Sequence, residues 1–441
     1  MSARPNLSIS AQWPFDVRTC PVYYGWVILV LSTLGFLMSI PGQTMGMGVF
    51  TNYFMDAFGL TRQELSIAYF VGTTASAALL PMAGRLYDRV GARLVLIGAS
   101  ALLGIFVSFL AIIDQLSLAL AGPTYASGAA LLLVGIGYFG VRFAGQGVLT
   151  SASRNLLLLW FVRRRGLVAG IRSLFVSFGF ALAPLMIAFL ISAYDWRNAL
   201  WIMAGTVGIG FALLTLVFAR NNPTECGLRA DNDALDLANP PIEAPSKTMV
   251  EARRDPVFWL YSAGLAIHAL FGTALTFHIV DIFQLADRSM EEAFRYFLPS
   301  AIVSTSTNFL ASYLADSMRL KPLLILMLLA FITGGTGLLY LDHDWGYWML
   351  VAGFGMGGGL WGVLSNLGFI RFFGPLHLGE ISGLNASVTV TASAIGPLLF
   401  SVSKDQFGSY AQAQYSCILV LVVLLVAAII IPQRELVPPP T

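Results

Sequence analysis

The sequence predicts an all-α membrane protein with twelve transmembrane helices in two pseudo-symmetric six-helix bundles. Three observations carry that expectation. Of 441 residues, 57% are hydrophobic and only 11% charged. A soluble globular protein has about 25% charged residues, so this chain lacks the polar surface to cover a water-exposed fold. Twelve apolar runs each approach the roughly 20 residues a span requires. Finally, a short basic turn with one acid recurs in both halves. It reads Gly84-Arg85-Leu86-Tyr87-Asp88-Arg89-Val90-Gly91-Ala92-Arg93, then Ser312-Tyr313-Leu314-Ala315-Asp316-Ser317-Met318-Arg319-Leu320-Lys321, with Asp88 and Asp316 standing 228 residues apart.

The runs fall at 23–42, 64–84, 93–113, 125–149, 166–192, 198–219, 257–284, 294–314, 321–341, 345–370, 379–402 and 410–431, numbered here spans 1 to 12. Inside lipid only helices and closed barrels satisfy the backbone. Barrel strands would be about half as long and would alternate in polarity, so these runs read as helices. Of the 25 Lys and Arg, 18 fall in the two tails and in the loops after spans 2, 4, 6, 8 and 10. Arg62, Arg197, Arg288, Arg295 and Lys404 lie in the opposite loops, and Arg142 and Arg172 lie within spans. The positive-inside rule then places both termini in the cytoplasm, with the plasma (inner) membrane as the expected location. The first run has no small-residue cleavage pattern, so it reads as a retained helix and not a signal peptide.

The expected divisions are an N-terminal cytoplasmic tail (1–22), a first bundle (23–219), a cytoplasmic linker (220–256), a second bundle (257–431) and a C-terminal tail (432–441). The linker carries Asp231, Asp233, Asp236, Glu243, Pro240, Pro241 and Pro245, a composition that cannot build a core. Duplication is supported by a second matched pair, Asp114 and Asp342, also 228 apart. Pro184 and Pro397 are 213 apart; a longer loop after span 3 (Gln115 to Gly128) than after span 9 (Asp342 to Trp345) accounts for the difference.

Cys20, Cys226 and Cys417 are widely separated, and no Cys/His spacing suggests a metal. There is no HExxH, GxSxG or P-loop, so neither an enzyme nor a cofactor is expected. A transporter-like sensor would need a sizeable cytoplasmic output module, and the longest cytoplasmic segment has only the linker's composition.

The loop turn resembles the signature G-x-L-x-D-R-x-G-x-R of the major facilitator superfamily. Trp160-Phe161 followed by Arg163-Arg164-Arg165-Gly166, and Asp195-Trp196-Arg197 before span 6, are also similar to that family. Pro223, Gly227-Leu228 and Asp231 resemble its oxalate/formate and monocarboxylate branch, as do Phe373-Gly374, His377-Leu378-Gly379 and Ile381-Ser382-Gly383. The resemblance implies a secondary transporter working by alternating access, in which Asp88 faces the N-terminus of span 11 and latches the cytoplasmic side. Arg142-Phe143-Ala144-Gly145-Gln146-Gly147 is similar to the family's fourth-helix motif R-x-x-Q-G, with the Gln displaced by one position. In family members that Arg serves coupling or substrate contact. The branch's charged trio is absent: Asn308 stands where span 8 carries Arg, Met45 occupies the span 1 position, and span 11 has no Lys before Lys404.

Several side chains could carry chemistry. Arg142 lies about 25 Å into span 4 at 1.5 Å per residue, and a guanidinium there should face a partner or a water-filled cavity; bracing against backbone carbonyls between spans 1 and 4 is the alternative. Tyr138 lies one turn before it. Arg172 is expected in a cytoplasmic vestibule. Pro41-Gly42-Gln43-Thr44 interrupts span 1, as helices at transporter sites often do. Gln43, Asn308 in the Ser304–Asn308 polar run, Trp361 and Asn366 complete the expected lining, and Ser387, Thr389, Thr391 and Ser393 make span 11 similarly polar. Histidine changes charge near neutrality, which makes His268, near the midplane, the expected proton carrier. The gating candidates are Asp88, Arg89, Arg93 and Asp316 on one side, and His278 with Asp281 on the other. Arg89 and Arg93 are expected to pair with acids or headgroups. The glycine-rich run before Trp361 reads as close helix packing and not as a phosphate loop. The expected substrate is a small organic solute, with an organic anion or carboxylate favoured by Arg142 and protons as an optional coupling ion. Efflux of amphipathic compounds is the alternative, favoured by the aromatic content and the thin polar lining; it ranks second because Gly179 to Pro184 resembles the antiporter fifth-helix motif only loosely. The expected partners are the substrate and the lipid bilayer, with no nucleic acid, and the protein is expected to be a monomer.

Overall fold

The computed structural model describes residues 9–232 and 245–436. The linker residues Asp233, Asp236, Pro240, Pro241 and Glu243 therefore lie outside the described residues, as do the ends of both tails. Among the described residues the regular elements are all helices. Ten stretches are long and apolar enough to cross a membrane by length and composition. One of them, Arg165–Phe218, bends at Asp195 (φ 70°, ψ 166°), dividing span 5 from span 6. Phe297–Ala315, made less apolar by the Ser304–Asn308 run, supplies span 8. The expected twelve spans are then accounted for.

Span 1 is the helix Gly25–Met38, followed by a 3-10 turn at Ile40–Gly42 and an extended Gln43 (φ −91°, ψ 154°). The break comes where Pro41, with no N–H and a fixed φ, cannot continue the ladder. Spans 2 and 3 are Arg62–Val90 and Ala92–Leu110, separated only by Gly91 at φ 86°. Span 4 differs from the expected 125–149. Its helix bends at Gly122 (φ 66°), passes through a π-helix at Arg142–Leu149 and continues as Thr150–Trp160. The helix thus runs on past Arg154. Two further turns follow, in which Asn155 is buried and donates to Ser382 Oγ at 3.0 Å.

Span 7 is Pro256–Leu285, span 9 Leu320–Leu339, span 10 Asp344–Phe373, span 11 Leu378–Phe407 and span 12 Ala411–Ile430. The glycine run of span 10 is helix packing. A Cβ on Gly353 would lie 2.3 Å from Gly334 N of span 9, and one on Gly359 would lie 2.5 Å from Ser304 O of span 8. Small residues permit such approach where lipid gives no hydrophobic drive.

The chain forms two compact units. The N-terminal unit holds the chain to Val162, the stretch from Phe175 to the linker, and Ser382–Ser387; the C-terminal unit holds Arg163–Leu174, the chain from the linker to Ile381, and everything from Val388 on. Each unit fastens its own tail with buried arginine. In the N-terminal unit Arg93 donates to the carbonyls of Ser10 (3.2 Å), Trp13 (2.9 Å) and Leu216 (3.1 Å), and its charge lies over the Trp13 ring. Arg93 thus binds backbone carbonyls instead of the acids or headgroups expected for it, because the tail folds back over the start of span 3. In the C-terminal unit Arg371 donates to Met318 O at 2.9 Å and pairs with the buried Glu435, which also accepts from Leu320 N at 2.6 Å.

Asp195 explains the Asp-Trp-Arg stretch. Its carboxylate accepts from the N–H groups of Arg197 and Asn198 at 2.7 and 3.0 Å and so starts span 6. Trp196 packs on Phe54 and Phe58, and Arg197 pairs with Asp114 at 2.7 Å.

Candidate functional site

In the N-terminal unit the break in span 1 meets the π-helix of span 4. A Cβ on Gly42 would lie 2.3 Å from Val141 O and 2.7 Å from Gly145 Cα, so the two backbones touch. Against this contact lies Arg142, 3% exposed. Its Nη1 donates to Gly42 O at 3.2 Å and to Thr44 Oγ1 at 3.3 Å, while Nε has no hydrogen-bond partner. The guanidinium sits over the Tyr69 ring at 5.2 Å, and Tyr69 Oη shares a 2.7 Å hydrogen bond with Thr44. Tyr138 meets the Tyr69 ring edge-on at 5.2 Å. Gln43 lies in the same break, with its amide donating to Ser39 Oγ at 3.0 Å.

The local cause is backbone geometry. Interrupting span 1 frees Gly42 O from its ladder, and the wide π turn brings Arg142 to it; such π segments frequently sit at functional sites. No carboxylate among the described residues pairs with Arg142. The result is a buried positive charge with donors in reserve, an exposed hydroxyl at Thr44 and two tyrosines, an arrangement suited to an anion. Tyr69 and Thr44 were not among the expected site residues; Tyr69 is one more polar aromatic in an apolar span, with no sequence signal of its own. Gly42→Ala is expected to destabilise the protein by about 1–3 kcal/mol, the usual penalty for overpacking, read as a lower melting temperature in detergent. Unchanged melting would contradict the close approach.

In the C-terminal unit the remaining candidates lie on spans 8 and 10. Asn308 Nδ2 donates to Gly359 O at 2.9 Å, Trp361 Nε1 to Leu265 O at 3.1 Å, and Asn366 Nδ2 to Gly362 O at 2.7 Å. Their donors are committed to their own unit's backbone. Arg172 corrects the vestibule expectation: it is 2% exposed, and its Nη2 donates to Asn366 Oδ1 at 2.6 Å. About 10 Å along its helix at 1.5 Å per residue, it turns into protein instead of water. His268 stacks on Phe331 at 4.5 Å and meets Trp361 at 5.4 Å, and its Nδ1 has no hydrogen-bond partner.

The gating candidates are dispersed. Asp88 is half-buried and Arg89 exposed at the end of span 2. Asp316 Oδ1 and Oδ2 accept from Gly166 N and Leu167 N at 2.6 and 2.9 Å, at the start of the helix that opens span 5. His278 and Asp281 lie together at the far end of span 7, joined through Tyr410: its hydroxyl donates to Asp281 at 2.6 Å and lies 3.4 Å from His278 Nδ1.

These features define a polytopic helical protein with a buried cationic site, and comparison with known proteins places it. The profile of the Major Facilitator Superfamily matches residues 31–397. The chain belongs to that superfamily, a family of transporters. Among curated proteins, it is 27% identical over 169 residues to the "Probable sulfoacetate transporter SauU" of Cupriavidus necator, a match covering 38% of this chain. The chain spans only about a third (35%) of that relative's length. Among solved structures, a double Trp mutant of XylE superposes with TM-score 0.68 at 16% identity, covering 93% of this chain and 97% of that one. The E. coli fucose:proton symporter FucP gives 0.62 at 15% identity, with coverage of 94% and 100%. The human organic anion transporter MFSD10 gives 0.59 at 16%, with coverage of 92% and 99%. At these identities the structural likeness shows the fold alone.

Proposed function

We propose that this transporter carries a small organic anion, a carboxylate or sulfonate, by alternating access, with Arg142 as the anion's cationic contact. The observation that supports it most is the Arg142 site: a guanidinium 3% exposed, with an unpartnered Nε and no paired carboxylate among the described residues. A buried charge without a counter-ion is costly in a membrane, and an anionic substrate would supply the missing partner. The partial match to a sulfoacetate transporter fits the same chemistry, since sulfoacetate carries both anionic groups. The oxalate/formate and monocarboxylate likeness of the sequence points the same way, with Arg142 standing in for the missing basic trio. The placement of Lys and Arg supports cytoplasmic termini in a plasma membrane.

Thermal unfolding of the purified protein with sulfoacetate, acetate, oxalate, xylose and fucose tests this. A ligand at about 100 times its Kd adds about 2.7 kcal/mol, so one of the anions is expected to raise the melting temperature by several degrees. A rise with the sugars alone would overturn the reading.

A further inference from the structure

The C-terminal unit holds a polar cluster of its own, unexplained by anion binding at Arg142. It gathers span 7, the end of span 11 and the start of span 12. His278 Nε2 lies 3.0 Å from Pro397 O and 3.4 Å from Ser401 Oγ. Because a carbonyl only accepts, Nε2 carries the hydrogen, and in the neutral ring Nδ1 is left as a bare acceptor. Nδ1 faces Tyr410 Oη at 3.4 Å, but that hydroxyl's single proton goes to Asp281 Oδ2 at 2.6 Å. The chain of contacts is therefore one proton short: two acceptors, Nδ1 and Oη, face each other with nothing between them.

The charges around it have the right balance. Lys404 Nζ lies 3.6 Å from Asp281 Oδ2 and 5.5 Å from the Tyr410 ring centre, and Asp405 acts on Tyr410 through its charge. With a neutral imidazole these groups sum to one negative charge; adding a proton makes them neutral. Asp281 is exposed and His278 half-buried, and a charged carboxylate near a helix end is expected to face water and not lipid. His268, the expected proton carrier, has none of this: its Nδ1 faces no partner, and its ring is stacked on Phe331.

We propose that His278, Tyr410 and Asp281 form a proton-binding site, and that the proton held there is the transporter's coupling ion. The Nδ1 lone pair takes a proton from hydronium in the bulk solvent, releasing water, becomes N–H and donates to Tyr410 Oη. Tyr410 still donates to Asp281, so every member is satisfied and spans 7, 11 and 12 are tied together. Loss of the proton restores two facing acceptors and loosens the tie. The coupling role rests on the transport reading given above; proton binding at His278 does not.

Two measurements test it separately. In 15N-histidine-labelled full-length protein in lipid nanodiscs, the His278 signals are identified among the chain's four histidines by their loss in His278→Asn. The high-pH ring should be the Nε2–H tautomer. At pH 6 the ratio of doubly to singly protonated His278 should fall more than twofold in Asp281→Asn, because the carboxylate that orients the Tyr410 hydroxyl is lost. It should fall less in Tyr410→Phe and rise in Lys404→Gln. An Nδ1–H tautomer at high pH, or a ratio in Asp281→Asn within twofold of the parent, overturns the site. Sulfoacetate uptake into proteoliposomes then tests coupling: His278→Asn should lose accumulation driven by a pH gradient yet keep counterflow exchange. Gradient-driven accumulation at the parent level in that variant overturns coupling, whereas failure of the parent to bind any organic anion bears on the substrate reading and leaves the histidine titration readable.

Discussion

Replacing Arg142 with Gln is expected to lower kcat/KM for anion uptake by about 100-fold while leaving the melting temperature of the protein nearly unchanged or slightly raised. The two halves of that expectation have different causes. Truncating one partner of a buried, hydrogen-bonded charge pair costs about 2–5 kcal/mol of binding, and 2.7 kcal/mol is already a factor of about 100. Stability moves differently because Arg142 gains so little from the protein itself. Its contacts to Gly42 O and Thr44 Oγ1, at 3.2 and 3.3 Å, are long, and Nε makes none. Charge-assisted bonds of good geometry are about 2.7–2.9 Å. Losing these contacts leaves one carbonyl short of a donor, at about 1–3 kcal/mol, but it also removes an uncompensated buried charge, which is itself unfavourable. The terms oppose and largely cancel. Were Arg142 a brace between spans 1 and 4, its loss would lower melting and uptake together. Arg142→Lys separates charge from shape: it keeps the cation but loses the planar fork that fits carboxylate and sulfonate oxygens. Partial uptake is expected from it, measured in the same proteoliposomes. Full activity in Arg142→Gln would remove Arg142 from the site altogether.

The fold was legible because its causes are local and repeated. Long apolar runs, scarce charge and the paired turns around Asp88 and Asp316 each read directly from the chain. Errors arose where a single residue changes the backbone. Arg154 looks like an interfacial cation, yet the helix continues to Trp160, because Asn155 finds a buried partner in Ser382 that no local pattern reveals. The displaced Gln in Arg142-Phe143-Ala144-Gly145-Gln146-Gly147 was visible as a departure from R-x-x-Q-G, but its meaning was not. An i→i+5 turn holds one residue more than an α-turn, and the π-helix at Arg142–Leu149 absorbs that extra residue. The other half of the Arg142 site, Thr44 and Tyr69, depends on where three helices meet, which periodicity does not encode. The same holds for Arg93 and Arg371. Both sit at loop ends, yet each is buried under a tail: Arg93 meets the tail carbonyls of Ser10 and Trp13, and Arg371 meets Met318 O and the tail carboxylate of Glu435. Tyr410, between His278 and Asp281, comes from the far end of the chain, so an i,i+3 pair was the most that span 7 alone could show.

Asp316→Asn is expected to slow turnover about tenfold while changing KM less than twofold. Asp316 binds the first free N–H groups of the helix opening span 5, Gly166 N at 2.6 Å and Leu167 N at 2.9 Å. Those are orphan donors at the positive end of a helix dipole, where a carboxylate contributes up to about 2 kcal/mol in partly buried geometry. An Asn retains one acceptor and loses the charge; a change of about 1.4 kcal/mol is a factor of ten. The approach is possible only because residue 166 is glycine: a Cβ there would lie 2.0 Å from Ser312 O. Residues Arg163–Leu174 come from the first half of the sequence yet cluster with the C-terminal unit. We propose that the contact between these stretches biases which conformation the transporter rests in, so rate should respond and affinity should not. Gly166→Ala should slow turnover in the same way, because it pushes the helix start off the carboxylate by sterics alone. If both act on one clasp, the double variant is no slower than the worse single one, as expected for coupled neighbours. Uptake rates at saturating and limiting substrate, measured for the parent, the two single variants and the double, provide the cycle. Multiplying rate losses, or an Asp316→Asn defect confined to KM, would show that this carboxylate does not hold a conformational clasp.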